Sequence, residues 1–171
     1  MNYYGAKEMA ESWRTVRKNT IQVAEDIPEE KYTFRAAADT MSIAEMLAHL
    51  AAATHWAEQA HFVEKKSSIT MDDFGKWMGE IGKLAGSLTT KAAIVDALKS
   101  RGESFAKHLE SMTDAQLGES VTLPNGSKTC FEILLGVKEH EMHHRAQLFL
   151  MERMVGIVPH LTRARQQRTQ A

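Results

Sequence analysis

The chain has 171 residues, 43% hydrophobic and 25% charged, the make-up of a globular domain long enough to bury a core without staples. A formal net charge of -1 argues against nucleic acid or anionic lipid as a partner, and the one basic cluster, Arg163, Arg165 and Arg168, reads as a solvated tail. A single cysteine, Cys130, excludes an internal disulfide framework. Together with charged residues throughout the first twenty positions and no run long enough to span a membrane, it makes a cytoplasmic protein the expectation.

The pattern is helical nearly throughout. Met9, Trp13, Val16, Thr20, Val23 and Ile27 recur at spacings of four and three, which is one helix face, and Pro28 stops that helix. Residues 29–40 read as an irregular crossing segment. A capping-box pattern, Ser42 followed by Glu45, opens the second helix. Met46, His49, Ala53, Trp56, Ala60 and Val63 form a stripe along it, with Ile43, Leu47, Leu50 and Ala57 beside them, so it is expected to be broadly buried.

Residues 66–90 form a long connection. Phe74, Trp77, Met78, Ile81 and Leu84 suggest a short amphipathic helix there, which Gly75, Gly79, Gly82 and Gly86 weaken. A strap packed over the bundle is expected of it, a lid being the alternative. The third long helix is expected from Thr90 to about Met112, with Ile94, Ala97, Leu98, Phe105 and Leu109 inward. Leu123-Pro124-Asn125-Gly126 is a turn signal, and the last main helix runs from near Thr129 to Gly156, with Pro159 soon after. The expectation is an all-α four-helix bundle with a crossover, as a single domain over residues 1–160 and a polar basic tail over 161–171.

The chemistry-bearing residues lie on two of these helices. On the last, Ile133, Val137, His140, His144, Leu148, Met151 and Val155 form one core stripe with two histidines in its middle. A buried imidazole needs partners for its nitrogens, and an unpaired one costs roughly 1–3 kcal/mol. Imidazoles at i and i+4 project to one point and can share a divalent metal ion. His49 lies in the stripe of the second helix, whereas His55 and His61 point away from it, so His49 is the expected third ligand. The alternative is three core histidines bonded to buried carbonyls or to one another.

His143 falls at the edge of the stripe, at the rim or behind the ligands. Gln147 adjoins the ligands and is placed to orient one of them or a substrate, or to be a polar core partner. Trp56 and Met151 are pocket or core residues. Cys130, about two and a half turns from His140, is excluded as a ligand.

Two segments, Ser42-Ile43-Ala44-Glu45-Met46-Leu47-Ala48-His49-Leu50 and Glu139-His140-Glu141-Met142-His143-His144-Arg145-Ala146-Gln147-Leu148, resemble the DinB-like (YfiT-like) metal-binding four-helix bundle family. The likeness extends to Trp13, to Asp26-Ile27-Pro28-Glu29-Glu30-Lys31-Tyr32 and to the turn before the last helix. It implies an up-down-down-up bundle, often dimeric, with a metal, commonly zinc or nickel, on His49, His140 and His144. Ala146 departs from the Gly that relatives often have there, which bears on packing and not on ligation.

Three neutral imidazoles leave positions open for substrate, as in a catalytic site. The resemblance to bacillithiol, mycothiol and glutathione S-transferases implies a metal-dependent transferase that joins a low-molecular-weight thiol to a small electrophilic substrate, with His143 and Arg145 at the pocket rim. A metal-dependent hydrolase is the second expectation, with Glu141 the candidate base, set against an i, i+4 pair with Arg145. A non-catalytic stress protein is the third. A second apolar row, Phe131, Leu135, Met142 and Phe149, is expected to meet either the third helix or the second subunit of a homodimer.

Overall fold

The computed structural model describes residues 4–169. Its elements in chain order are α1 (Ala6–Asp26), α2 (Ile43–Ala52), α3 (His55–Ala57) running into a π-helical turn (Glu58–Val63), α4 (Met71–Ser87), α5 (Lys91–Glu110), α6 (Asp114–Gly118), β1 (Ser120–Leu123), β2 (Gly126–Thr129), α7 (Cys130–Met154) and α8 (His160–Thr169). The four long helices α1, α2, α5 and α7 form a four-helix bundle. Both α1 and α2 pack on α5 and on α7, so helices consecutive in sequence lie diagonally across it. Connections that cross a diagonal make this a crossover topology and not a series of hairpins.

The stripe on α1 is its buried face: Met9, Trp13, Val16, Thr20, Val23 and Ile27 are all buried, and Ile27 turns extended ahead of Pro28. Each large apolar side chain here contributes on the order of 1.5–3 kcal/mol. Beside that stripe lies a residue absent from it, Arg17, 3% exposed. Its guanidinium donates to the Leu50 carbonyl of α2 (3.1 Å) and the Leu98 carbonyl of α5 (3.4 Å), and pairs with Glu141 of α7 (2.7 Å). One cation thus ties all four long helices together. Gly102 makes room for it, since a Cβ there would lie 2.6 Å from Arg17 Cγ.

The second helix departs from its expected single stripe. It opens with the Ser42–Glu45 capping box, then breaks at Ala53 and Thr54. Arg17 takes the Leu50 carbonyl and Arg101 that of Ala51 (3.1 Å), drawing two acceptors out of the helical ladder. The chain resumes as α3 and widens into the π turn, where the Glu64 amide donates to Gln59 (2.8 Å). The extra residue per turn carries Val63 out of the stripe, to 63% exposure.

The connection after it is more regular than its glycines suggest. The helix α4 has 17 residues and opens with a Thr70–Asp73 capping box. Trp77 and Ile81 are buried against the bundle, and the four glycines lie on the exposed side with open space around each. It straps α2 and α3. The turn at residues 123–126 closes an antiparallel hairpin, β1 on β2, with Gly126 at φ +138.

α7 ends as its sequence indicates. Gly156 takes φ +85, and the Ile157 and Gly156 amides return to Glu152 (2.8 Å) and Arg153 (3.1 Å) in a Schellman motif. The basic tail is helical through Thr169, because Arg163 anchors it on Asp26 of α1 (2.5 Å). In the second apolar row Met142 is 42% exposed, while Phe131 and Phe149 pack against Tyr4 (6.0 Å) and His160 (5.7 Å).

Candidate metal centre

The two helices that carry the expected ligands are neighbours in the bundle. His49 rides the last turn of α2, and His140 and His144 are one turn apart on α7. One ring nitrogen from each lies within 4.8 Å of the other two, and all three residues are half-buried. His49 Nε2 and His140 Nε2 are 3.1 Å apart. Two nitrogens sharing a tetrahedral ion at 2.0–2.1 Å would stand roughly 3.3 Å apart, so this spacing suits a common ion. The rings meet edge to face, with centroids 4.6–5.1 Å apart, and do not stack.

The protonation states also suit ligation. Burial, then the imidazole of His144, lowers the pKa of His49. His140 is held down to about 4 by burial and then by His144, His49 and His143. Both are neutral at physiological pH, and a metal takes the neutral imidazole.

Gln147 sets the third ring. Its Oε1 accepts from His144 Nδ1 at 2.7 Å, which leaves Nε2 of His144 with its lone pair free. A partner on the remote nitrogen fixes the tautomer and ring angle of a ligating histidine. The same amide reaches His143 Nε2 at 3.4 Å, so His143, Gln147 and His144 form a chain along the exposed edge.

Four other expected site residues lie elsewhere. Glu141 faces the bundle interior, 2% exposed, with Arg17 as its direct ion-pair partner, while Arg145 feels its charge without an ion-pair contact. Arg145 is turned from the rim toward α1, where it donates to the Val16 carbonyl (2.9 Å) and covers the ring of Phe149 (5.8 Å). Met151 belongs to the apolar core with Met46, Leu47 and Leu148. Trp56 lies beyond the break in the second helix, against Phe74 of the strap (5.8 Å). The i, i+4 spacing from Glu141 to Arg145 suggests a local pair, but both side chains are taken by longer-range partners. Arg17 was missed because an arginine at a stripe's edge ordinarily reads as exposed; Gly102 on the facing helix was the one hint of space for it.

Comparison with known proteins places the fold among known bundles. The uncharacterised protein YjoA of Bacillus subtilis is 26% identical over 143 residues, 82% of this chain and 84% of its own. The crystal structure of that DinB-like protein superposes with a TM-score of 0.67 over 87% of this chain and 92% of the other, at 23% identity. YfiT of Bacillus subtilis, described as a probable metal-dependent hydrolase with an unusual four-helix bundle topology, superposes with a TM-score of 0.69 over 92% and 91% of the two chains at 14% identity. A DinB-like protein of Bacillus cereus gives 0.68 over 89% and 93% at 16% identity. The DinB superfamily pattern itself matches residues 12–148, most of the chain, and the protein therefore belongs to the DinB superfamily.

Proposed function

We propose that His49, His140 and His144 hold one divalent ion, zinc or nickel, and that the protein uses it to transfer a low-molecular-weight thiol to a small electrophilic substrate. The observation that carries the metal assignment is the convergence of three ring nitrogens from two helices, half open to solvent. When bound, the ion supplies Lewis-acid chemistry that lowers the pKa of a coordinated thiol or water. The chain's own groups do the rest. His49 and His140 stay neutral, Gln147 holds the His144 ring, and the exposed edge at His143 leaves a way in for a small molecule.

A thiol is favoured as nucleophile because the charges that lower the pKa of His49 and His140, after burial, are those of other imidazoles, and of the two acids that flank His140 in sequence Glu141 is committed to Arg17. A thiol starts at a pKa of about 8.5, so it needs a much smaller shift than water and no carboxylate base. Hydrolysis is the second reading, supported by the likeness to YfiT. It would rely on His143, at the exposed end of the Gln147 chain, to accept the proton.

The test is metal content by elemental mass spectrometry on tag-free wild type and His144→Ala, followed by turnover assays. About one metal per wild-type chain, lost in the variant, is expected. Metal-dependent conjugation of a thiol to an electrophile is expected to exceed hydrolysis of activated esters. Hydrolysis alone would favour the second reading. Metal that raises thermal stability with turnover in neither assay would make the centre structural.

A further inference from the structure

The last helix is docked on the bundle chiefly by polar bonds. None of the residues of α8 is buried. Arg163 pairs with Asp26 of α1 (2.5 Å), His160 Nε2 donates to Asn19 Oδ1 (3.1 Å), and Arg153 of α7 donates to the Thr162 hydroxyl (2.9 Å). The one ring contact is His160 edge-on to Phe149 (5.7 Å). The chain reaches α8 through a turn from Val155 to Pro159, with Gly156 at φ +85. An element held in this way opens far more readily than the domain unfolds.

At the foot of α8 lies an acid with no partner. Glu152 of α7 is wholly buried, and neither of its carboxyl oxygens is bonded. Each surrounding element contributes a charge that acts on it: Asp26 from α1, Arg163 from α8 and Arg153 from α7. His160 of α8, whose Nδ1 is also buried without a partner, feels Asp26, Arg163 and Arg145. Asp26 is the shared member. It holds Arg163, accepts from Gln22 (2.8 Å) and repels Glu152 once that carboxyl ionises. Burial and then Asp26 outweigh the two arginines, so an ionised Glu152 favours any state that lets water reach it. Of the elements around the cluster, α8 is the one with no buried residue to hold it.

We propose that α8 is a latch opened by ionisation of Glu152. With Glu152 protonated the helix stays docked on Asp26 and Asn19. With Glu152 charged it swings out about the turn at Gly156 and Pro159, while the bundle remains folded. The docked state holds the Glu152 proton up to about 7, against 4.5 for an exposed carboxyl, so rising pH favours release. Release gives up the Arg163–Asp26 pair, but Arg163 is already 41% exposed there, and such a pair is weak in water. Opening uncovers Asp26, Asn19 and the edge of Phe149, and frees a helix that carries Arg163, Arg165 and Arg168.

The experiment places spin labels at two exposed positions of the full chain, Lys18→Cys on α1 and Gln166→Cys on α8, in a Cys130→Ser background. Pulsed electron paramagnetic resonance then reads their separation. The population with the longer separation is expected to grow at least about tenfold between about pH 5 and about pH 9, with near-ultraviolet circular dichroism unchanged. Glu152→Gln, which stays neutral, is expected to keep the docked distance at both. Arg163→Gln is expected to increase the open population at both. A wild-type distance that does not respond to pH or shortens as pH rises, a response that persists in Glu152→Gln, or loss of the whole bundle's tertiary signal together with the tail would each overturn the proposal.

Discussion

At its middle α7 turns His140 and His144 toward His49, whereas at its N-terminus Cys130 takes one nitrogen of His61 and leaves the other without a partner. Burial is much the same at the two places: His140 and His61 are both held down to about 4, burial being the first cause in each. What differs is convergence. Three ring nitrogens within 4.8 Å of one another could hold an ion. A thiol bonded to a single imidazole makes no such set. A depressed histidine pKa therefore marks burial at both places and says nothing by itself of ligation, and the buried acids of α7 need the same separation of burial from role.

Substitutions sharpen that separation. The largest effect is expected at Glu141→Ala, which strands Arg17 as a buried unpaired cation and is expected to cost about 3–5 kcal/mol in urea unfolding. Metal stoichiometry is expected to stay at the wild-type value. A loss of turnover at unchanged stability would instead make Glu141 a base. His140→Ala comes next. It is expected to abolish metal binding and with it about 4 kcal/mol of metal-dependent stabilisation at a metal concentration a thousandfold above Kd, seen as a melting temperature that no longer responds to metal. His61→Phe, at the other end, is expected to keep the full response.

Glu152 gives a pH-dependent case. It is wholly buried with neither carboxylate oxygen bonded, and burial and then Asp26 push it from 4.5 up to about 7. The folded protein thus keeps a proton that the unfolded chain releases. Stability is full below about pH 4.5 and falls as pH rises through about 7. Wild type is expected to lose about 2–3 kcal/mol between pH 5 and pH 8 relative to Glu152→Gln, by denaturant unfolding at each pH. The smallest effect is expected at Gln147→Leu. Freeing the remote nitrogen of His144 is expected to lower metal affinity about 10–100-fold without loss of fold, measured by competition with a chelator.

Much of this was legible in the sequence, and the gaps have physical causes. The α1 stripe and the α7 stripe follow from period 3.6 alone, and the triad follows from placing histidines on the stripes of α2 and α7. The break after Ala52 was not legible, because the groups that cause it, Arg17 and Arg101, are distant in sequence from the carbonyls they capture. A π turn has no residue signature, so Val63 was counted with the stripe that the added residue moves it out of. The four glycines of α4 suggested a weaker helix than the one formed. They cost backbone entropy only, and burial of Trp77 and Ile81 outweighs that cost. Cys130 was read correctly as remote from the triad, but its pairing with His61 depends on the π turn and could not be foreseen.

The histidines of the metal centre are separated by 91 residues between His49 and His140, on helices that meet only once the crossover is made. Neither half of the chain contains a site. During synthesis the proposed ion would meet its full ligand set only after α7 has left the ribosome and docked, so its capture would mark the last long-range closure and not an early nucleus. Two fragments cut within the α4 strap would each be metal-blind, and recovery of metal binding on mixing them would count reassembled bundles.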